Sequence, residues 1–238
     1  MMGTQRPLVA DVMAAIGIAA LYQVHVRPWM YTWGARPDEV AAALPGDDLV
    51  DPVAPRTTRA VTIDASPREV WPWLVQIGED RAGFYSYSLL ERAVLADVHN
   101  AWQIHPEWQH LRVGDTVWLA RRYGLGARQI VAQIRPESHL VLVSPDDYER
   151  LQRGEKASGC WSFVLRREIG WTRLVVRGCG GAVGHFWFDI PHFVMEQKMM
   201  RGIAVRAQRT RRSAIAASVA RHPSYVPPGQ PCTTSTGR

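Results

Sequence analysis

The sequence predicts an α+β domain in which a curved antiparallel sheet wraps around one long C-terminal helix, preceded by an apolar N-terminal helix. Three observations carry that expectation. Residues 58–64 place Thr58, Ala60, Thr62 and Asp64 on one side and Arg59, Val61 and Ile63 on the other, the two-residue period of a half-buried strand. A series of strand-like segments follows between residues 115 and 177. Phe193, Glu196, Met200, Ile203 and Ala207 then recur at helical spacing within a helix expected from near Pro191 to about Val219.

Residues 1–34 form an apolar N-terminal segment. Residues 8–26 are mostly apolar but are interrupted by Asp11, Gln23 and His25. The uninterrupted run 12–22 falls short of the roughly 20 residues needed to span a bilayer, and no small-residue cleavage motif follows it. Three readings stay open: a membrane anchor, an interfacial helix, and a helix packed on the domain. Arg27-Pro28-Trp29 and Trp33 have the composition of interface anchors.

Residues 35–56 read as a connector, with a short helix over 38–44 ended by Pro45-Gly46, and Pro52 and Pro55 stiffening an extended approach to the first strand. The main domain is then expected over residues 57–221. Ser66-Pro67-Arg68-Glu69 matches a capping box with Pro at the first helical position. Val70, Trp73, Leu74 and Ile77 give that helix one apolar face, Pro72 is tolerated in its first turns, and Gly78 is the expected stop.

A second short helix is expected over 85–94, followed by a long loop over 97–112. Strands are expected over 115–120, 128–134, 140–144, 160–166 and 172–177, with Glu168-Ile169-Gly170-Trp171 as a hairpin turn. Gly178, Gly180, Gly181 and Gly184 mark a bend. Residues 222–238, with four prolines and a Thr/Ser-rich end, read as a disordered tail.

Composition narrows the function classes. At 238 residues and 47% hydrophobic the chain suits one domain with extensions and a sizeable core. Ten Trp residues suit either a Trp-rich core or a ligand cavity. The net charge of +6 is uneven: residues 198–221 hold seven basic residues and no acid, so the rest of the body is close to neutral. Such a helix either presents a solvated face or meets an anionic membrane surface. No zinc-finger or RNA-binding aromatic motif accompanies it, which argues against nucleic acid. Cys160, Cys179 and Cys232 include no C-x-x-C pair and read as reduced thiols in a cytosolic body.

Several motifs resemble the START-like, or SRPBCC, superfamily of polyketide cyclase/dehydrase-like proteins with the helix-grip fold, and more closely a subset common in actinobacteria. The resemblance spans about residues 29–210. Its most specific parts are residues 71–78, WPWLVQIG, and 81–86, RAGFYS. Trp33-Gly34-Ala35 with Asp38-Glu39, Thr58-Arg59-Ala60, Ile63-Asp64-Ala65 and Pro106-Glu107-Trp108-Gln109 with Leu111 add to it. Val113-Gly114-Asp115, Trp161-Ser162-Phe163 and Thr172-Arg173-Leu174 complete it. The resemblance implies a hydrophobic pocket between the long helix and the sheet, taking a lipid, polyketide or aromatic compound. It also implies, as an alternative, cyclisation or dehydration in that pocket.

The expected cavity contributors are Trp73, Tyr85, Trp108, Trp118, Trp161 and Trp187. A binding role is expected ahead of an enzymatic one, because no catalytic constellation stands out. Arg81, Tyr85 and Glu107 are the catalytic candidates, with Asn100, His105, His110, His185 and His192 as further polar groups. Arg81 would polarise a carbonyl, or else pair with Asp80 or Glu91. Glu107 beside Trp108 would serve as a general acid if buried, or else cap the loop. The spacing of His99, His105 and His110 matches no metal-binding pattern, and no metal or cofactor is expected. A third reading is a membrane-tethered accessory protein.

Overall fold

The first strand does not pair with the one that follows it. In the computed structural model, which describes residues 5–86 and 100–221, β1 (Arg56–Ile63) lies antiparallel against the last strand, β6 (Thr172–Gly180). Between them β2 (Thr116–Trp118), β3 (Arg128–Arg135), β4 (His139–Val143) and β5 (Gly159–Arg167) form a meander. The six-stranded antiparallel sheet therefore has the order β1-β6-β5-β4-β3-β2. On its inner face lie α4 (Pro67–Val75) and α6 (Phe186–Arg221), which pack against each other, with α6 also against β1. This is the helix-grip arrangement. Its core joins Ile63, Leu74 and Leu140 to Phe163, Leu174 and Met200, all fully buried.

The local signals explain these elements. Glu69 accepts from the Ser66 N–H at 2.6 Å and so closes the start of α4. That helix stops at Val75, before Gly78, whose φ of 137° belongs to a bridge with Gly83. The α6 helix starts at Phe186, ahead of Pro191. Asp189 in its first turn accepts from the Gly184 N–H at 3.2 Å, which ties the preceding turn to the start of the helix. The stripe Phe193, Glu196, Met200, Ile203 and Ala207 is buried as its spacing implies. At Gly202 α6 passes so close to the 83–86 loop that a Cβ would lie 2.5 Å from both Cβ and O of Tyr85.

The stretch read as a connector is a packed layer on the outer face of the sheet. Along β6, Leu174 and Val176 point inward while Arg173, Val175 and Arg177 point outward, and all nine residues are buried. Arg173 donates to both carboxylate oxygens of Glu39, at 2.8 and 2.6 Å, on α3 (Pro37–Ala41). Arg177 donates to Asp47 at 2.6 Å and to the carbonyls of Glu39, Val40 and Ala42. Leu44 is buried with Ala60, Val164 and Val175, and Val50 with Val141, Val143 and Cys179. A further helix, α5 (Pro145–Gln152), was not foreseen. Its start at Ser144-Pro145 carries the same signal as α4: the Ser144 hydroxyl accepts from the Asp147 N–H at 3.1 Å.

At the N-terminus α1 (Gln5–Leu21) runs through a π turn, Tyr22–Val26, into α2 (Arg27–Tyr31). Val12, Met13, Ile16, Ile18 and Leu21 are each at least half exposed. Among the described residues no helix is long and apolar enough to cross a membrane. The base of this segment is fastened to α6 by Tyr31, which donates to Asp189 at 2.6 Å, and by Trp29 and Trp33 edge-on to Phe193. Tyr85 and Ser86 are not helical. The rest of the expected second helix, His99 and the 222–238 tail lie outside the described residues.

Candidate functional site

Between the N-terminal half of α6, β5, β6 and the 181–184 turn lies an open cavity of about 390 Å³. Its apolar wall includes Phe84, Trp161, Val183, Phe188, Met195 and Met199, and His192 and Glu196 bring polar groups to it. Glu196 and His192 lie one helical turn apart on α6, so their side chains share a face. Trp161 is at an inward position of β5 and faces them.

Glu196 is 2% exposed and lies at the centre of a polar cluster. Arg59 Nη1 donates to Oε2 at 2.5 Å and Trp161 Nε1 donates to Oε1 at 2.7 Å. Arg59, fully buried on β1, also donates from Nε to the carbonyl of Met30 at 2.7 Å, and its guanidinium lies 5.2 Å from the centre of the Phe193 ring. His192 Nδ1 is 3.4 Å from Arg59 Nη1. A guanidinium only donates, so Nδ1 accepts and the ring proton sits on Nε2. The Nε2 atom is 3.8 Å from Glu196 Oε1, beyond a hydrogen bond.

Burial by itself would raise the Glu196 pKa, but the Arg59 charge, His192 and the two hydrogen bonds outweigh it and hold the carboxyl below its ordinary value. Burial pushes His192 below the ordinary imidazole value, and His139 likewise. The ground state is therefore a carboxylate, a guanidinium and a neutral imidazole.

The sign of the pH dependence follows. A depressed pKa means that the unfolded chain takes up the proton first, so stability is present above the unfolded value and is lost as pH falls. The loss begins below about 6.5, where unfolded histidines protonate, and continues as the carboxylates titrate. Thermal melts from pH 8 to pH 5 are expected to show a falling Tm, with a shallower fall for His192→Gln. Equal slopes for the two proteins would remove His192 as a contributor.

The expected site residues are dispersed. Trp161 lines the cavity. Trp73 lines a different pocket with Trp102. Tyr85 is buried between α4 and α6, donating to the Trp73 carbonyl at 3.1 Å and accepting from Gln76 at 3.0 Å, and burial raises its pKa. Trp108 stacks on His105 in the 3₁₀ turn Pro106–Trp108. Trp118 sits on the edge strand beside Arg121 and Arg128. Trp187 is 62% exposed and stacks on His185.

The three catalytic candidates do not converge. Arg81 donates to the Thr116 carbonyl at 3.2 Å; of its alternative partners, Asp80 pairs with Arg121 at 3.4 Å, and Glu91 lies outside the described residues. Glu107 is exposed; a backbone hydrogen bond, and then its bond to His105 at 3.1 Å, lower its pKa, so it is no buried acid. Among the described residues no group of His, Cys, Asp and Glu could hold a metal ion.

The polar groups that do meet are Arg59, Trp161, His192 and Glu196. The sequence carried a sign of two of them. Arg59 falls on the inward register of an otherwise apolar strand face, and Glu196 falls within an apolar helical stripe. A charge on a core-facing position demands a partner, but spacing alone could not pair residues 137 positions apart.

No protein-family profile and no curated protein matches the chain. Solved structures similar to it include NE0264 from Nitrosomonas europaea, at 10% identity and a TM-score of 0.44, covering 68% of this chain and 98% of that one. MLL2253 from Mesorhizobium loti is 15% identical with a TM-score of 0.37, covering 64% and 98%. DynU16, from the dynemicin biosynthetic locus, is 14% identical with a TM-score of 0.35, covering 61% and 46%. None of the three bears on what this chain binds.

Proposed function

We propose that the protein binds a hydrophobic small molecule, of lipid, polyketide or aromatic type, between the sheet and α6. The observation that carries this reading is the largely apolar cavity of about 390 Å³ with His192 and Glu196 on its wall. That volume lies in the range of small-molecule sites, which typically pair an apolar lining with a few fixed polar groups. Glu196 keeps lone pairs able to accept from a ligand hydroxyl, and His192 offers its Nε2–H to a carbonyl. The favoured ligand therefore has an apolar ring system or chain with one hydroxyl or carbonyl end.

A second reading, cyclisation or dehydration in the same cavity, is favoured by the convergence of His192, Glu196 and Trp161 there. Against it, the Nδ1 lone pair of His192 is engaged by Arg59, and the Arg59 charge makes Glu196 a weak base. Binding needs neither group to move a proton.

Native mass spectrometry of the full-length protein, followed by extraction, tests both readings: an unchanged co-purifying compound supports the carrier, and a converted one supports the enzyme. Met195→Trp is expected to fill the cavity and weaken binding of the fluorescent probe N-phenyl-1-naphthylamine by about tenfold or more, equivalent to about 1.4 kcal/mol. Unchanged probe affinity in a folded variant would sink the assignment of this cavity.

A further inference from the structure

We propose that a second site, on the C-terminal half of α6, binds a phosphate group. The starting point is Arg206, which is only 5% exposed. Its Nε donates to the Ala101 carbonyl at 2.8 Å and its Nη1 to the Gly202 carbonyl at 3.3 Å. Its guanidinium is sandwiched between the rings of Tyr85, at 4.2 Å, and Trp102, at 4.0 Å. No carboxylate among the described residues pairs with it. The other buried arginines differ: Arg59 has Glu196, Arg173 has Glu39 and Arg177 has Asp47. Two carbonyl dipoles and two ring faces spread the Arg206 charge but do not neutralise it, and an uncompensated buried charge is costly.

Beside Arg206 lies a pocket of about 300 Å³, separate from the cavity described above and lined by residues of α4, α6 and the 102–104 segment. Arg206, Arg209, Thr210 and Ser213 contribute to it at i, i+3, i+4 and i+7, a single helix face. Among the described residues no Asp or Glu lines it. Arg209 lies 5.7 Å from the centre of the same Trp102 ring that covers Arg206. Two cations thus share one indole with no acid among the described residues between them, and an anion in the pocket would relieve their repulsion.

A second, independent observation comes from α4. Trp73 is 3% exposed and lines this pocket, and its indole N–H is buried without a hydrogen-bond partner. An orphan donor on a residue that lines the same pocket as two guanidinium groups is consistent with an anionic acceptor there. The donors lining it are the remaining Nη2 of Arg206, the Arg209 guanidinium and the Ser213 hydroxyl from α6, with the Trp73 indole from α4. A carboxylate satisfies one fork. A phosphate or phosphomonoester presents three oxygens and can engage several donors at once. The same chemistry is offered by a free phosphomonoester and by the headgroup of phosphatidic acid.

The full-length protein is titrated with inorganic phosphate and with phenyl phosphate, up to about 10 mM, following tryptophan fluorescence and Tm, with chloride at equal ionic strength as control. It is also tested for flotation on phosphatidylcholine vesicles with and without phosphatidic acid. A saturable response to the soluble anions identifies a free phosphate ligand. A response confined to phosphatidic acid vesicles identifies a lipid headgroup. In either case Arg209→Gln, an exposed position that leaves the packing intact, is expected to weaken the response about tenfold with an unchanged Tm for the free protein. Arg206→Met is expected to abolish it where the variant folds, and Met195→Trp to leave it unchanged. No saturable response to any of these ligands, or one that Arg209→Gln does not alter, overturns the site.

Discussion

Arg59→Met is expected to cost about 3–5 kcal/mol of stability, because removing one partner of a buried ion pair strands the other charge. Here Glu196 would keep only the Trp161 N–H, and the Met30 carbonyl would lose its donor as well. The pair links β1 to α6, so the loss acts on the contact between sheet and helix. Glu196→Gln is expected to cost a similar amount by leaving the guanidinium unneutralised. The double variant Arg59→Met/Glu196→Leu, apolar on both sides, is expected to cost far less than the sum of the two single changes. Urea unfolding of the four proteins measures the coupling. If the double variant costs the full sum, the two residues do not act as a unit and the polar cluster is not a preorganised binding surface.

Gly202→Ala is expected to destabilise the protein by about 1–3 kcal/mol through overpacking, although on an exposed helix the same change gains about 1 kcal/mol. The sign reverses because the new Cβ would stand 2.5 Å from both Cβ and the carbonyl oxygen of Tyr85. Relief by movement of the loop is restricted. Tyr85 already has a φ of 55°, an uncommon conformation for a side-chain-bearing residue, and its ring is held by Arg206 and its hydroxyl by Trp73 and Gln76. A thermal melt decides the matter: a Tm above that of the parent protein would mean that helix and loop are less closely packed than described.

How far each feature could be read in advance depended on the range of the interaction behind it. The capping of α4 at Ser66 and Glu69 is set within four residues and was legible. So were the alternation of β1 and the apolar stripe of α6, because burial of one face imposes its period on the chain. Local rules missed the start of α6, where Asp189 ties down the preceding turn through the Gly184 N–H and Pro191 drew attention to the wrong turn. They also missed the outer layer: Pro45, Pro52 and Pro55 look like a linker until Arg173 and Arg177 on β6 are seen to hold that stretch down. The candidate site was least legible. Trp161 stood out by type alone, whereas Arg59, His192 and Glu196 acquire a shared role only when the two ends of the domain meet. Arg206 looked like one of several charges on a basic helix. That it is buried, and without an acid among the described residues, is a property of its neighbours Tyr85 and Trp102.

The pairing of β1 with β6, running from Arg56 opposite Cys179 to Ile63 opposite Thr172, also dictates an order of events during synthesis. The first strand leaves the ribosome long before its partner exists, while the meander from β2 to β5 can zip up hairpin by hairpin. Closing a loop of more than a hundred residues comes late and makes folding slow relative to a chain with mainly local contacts. Until then Arg59 has no Glu196, and the hydrogen-bonding edge of β1 is open to other strands. A nascent or truncated chain ending before β6 would therefore be a natural substrate for chaperones and proteases, and whether the first strand is ever used is decided by a segment that begins only at Thr172.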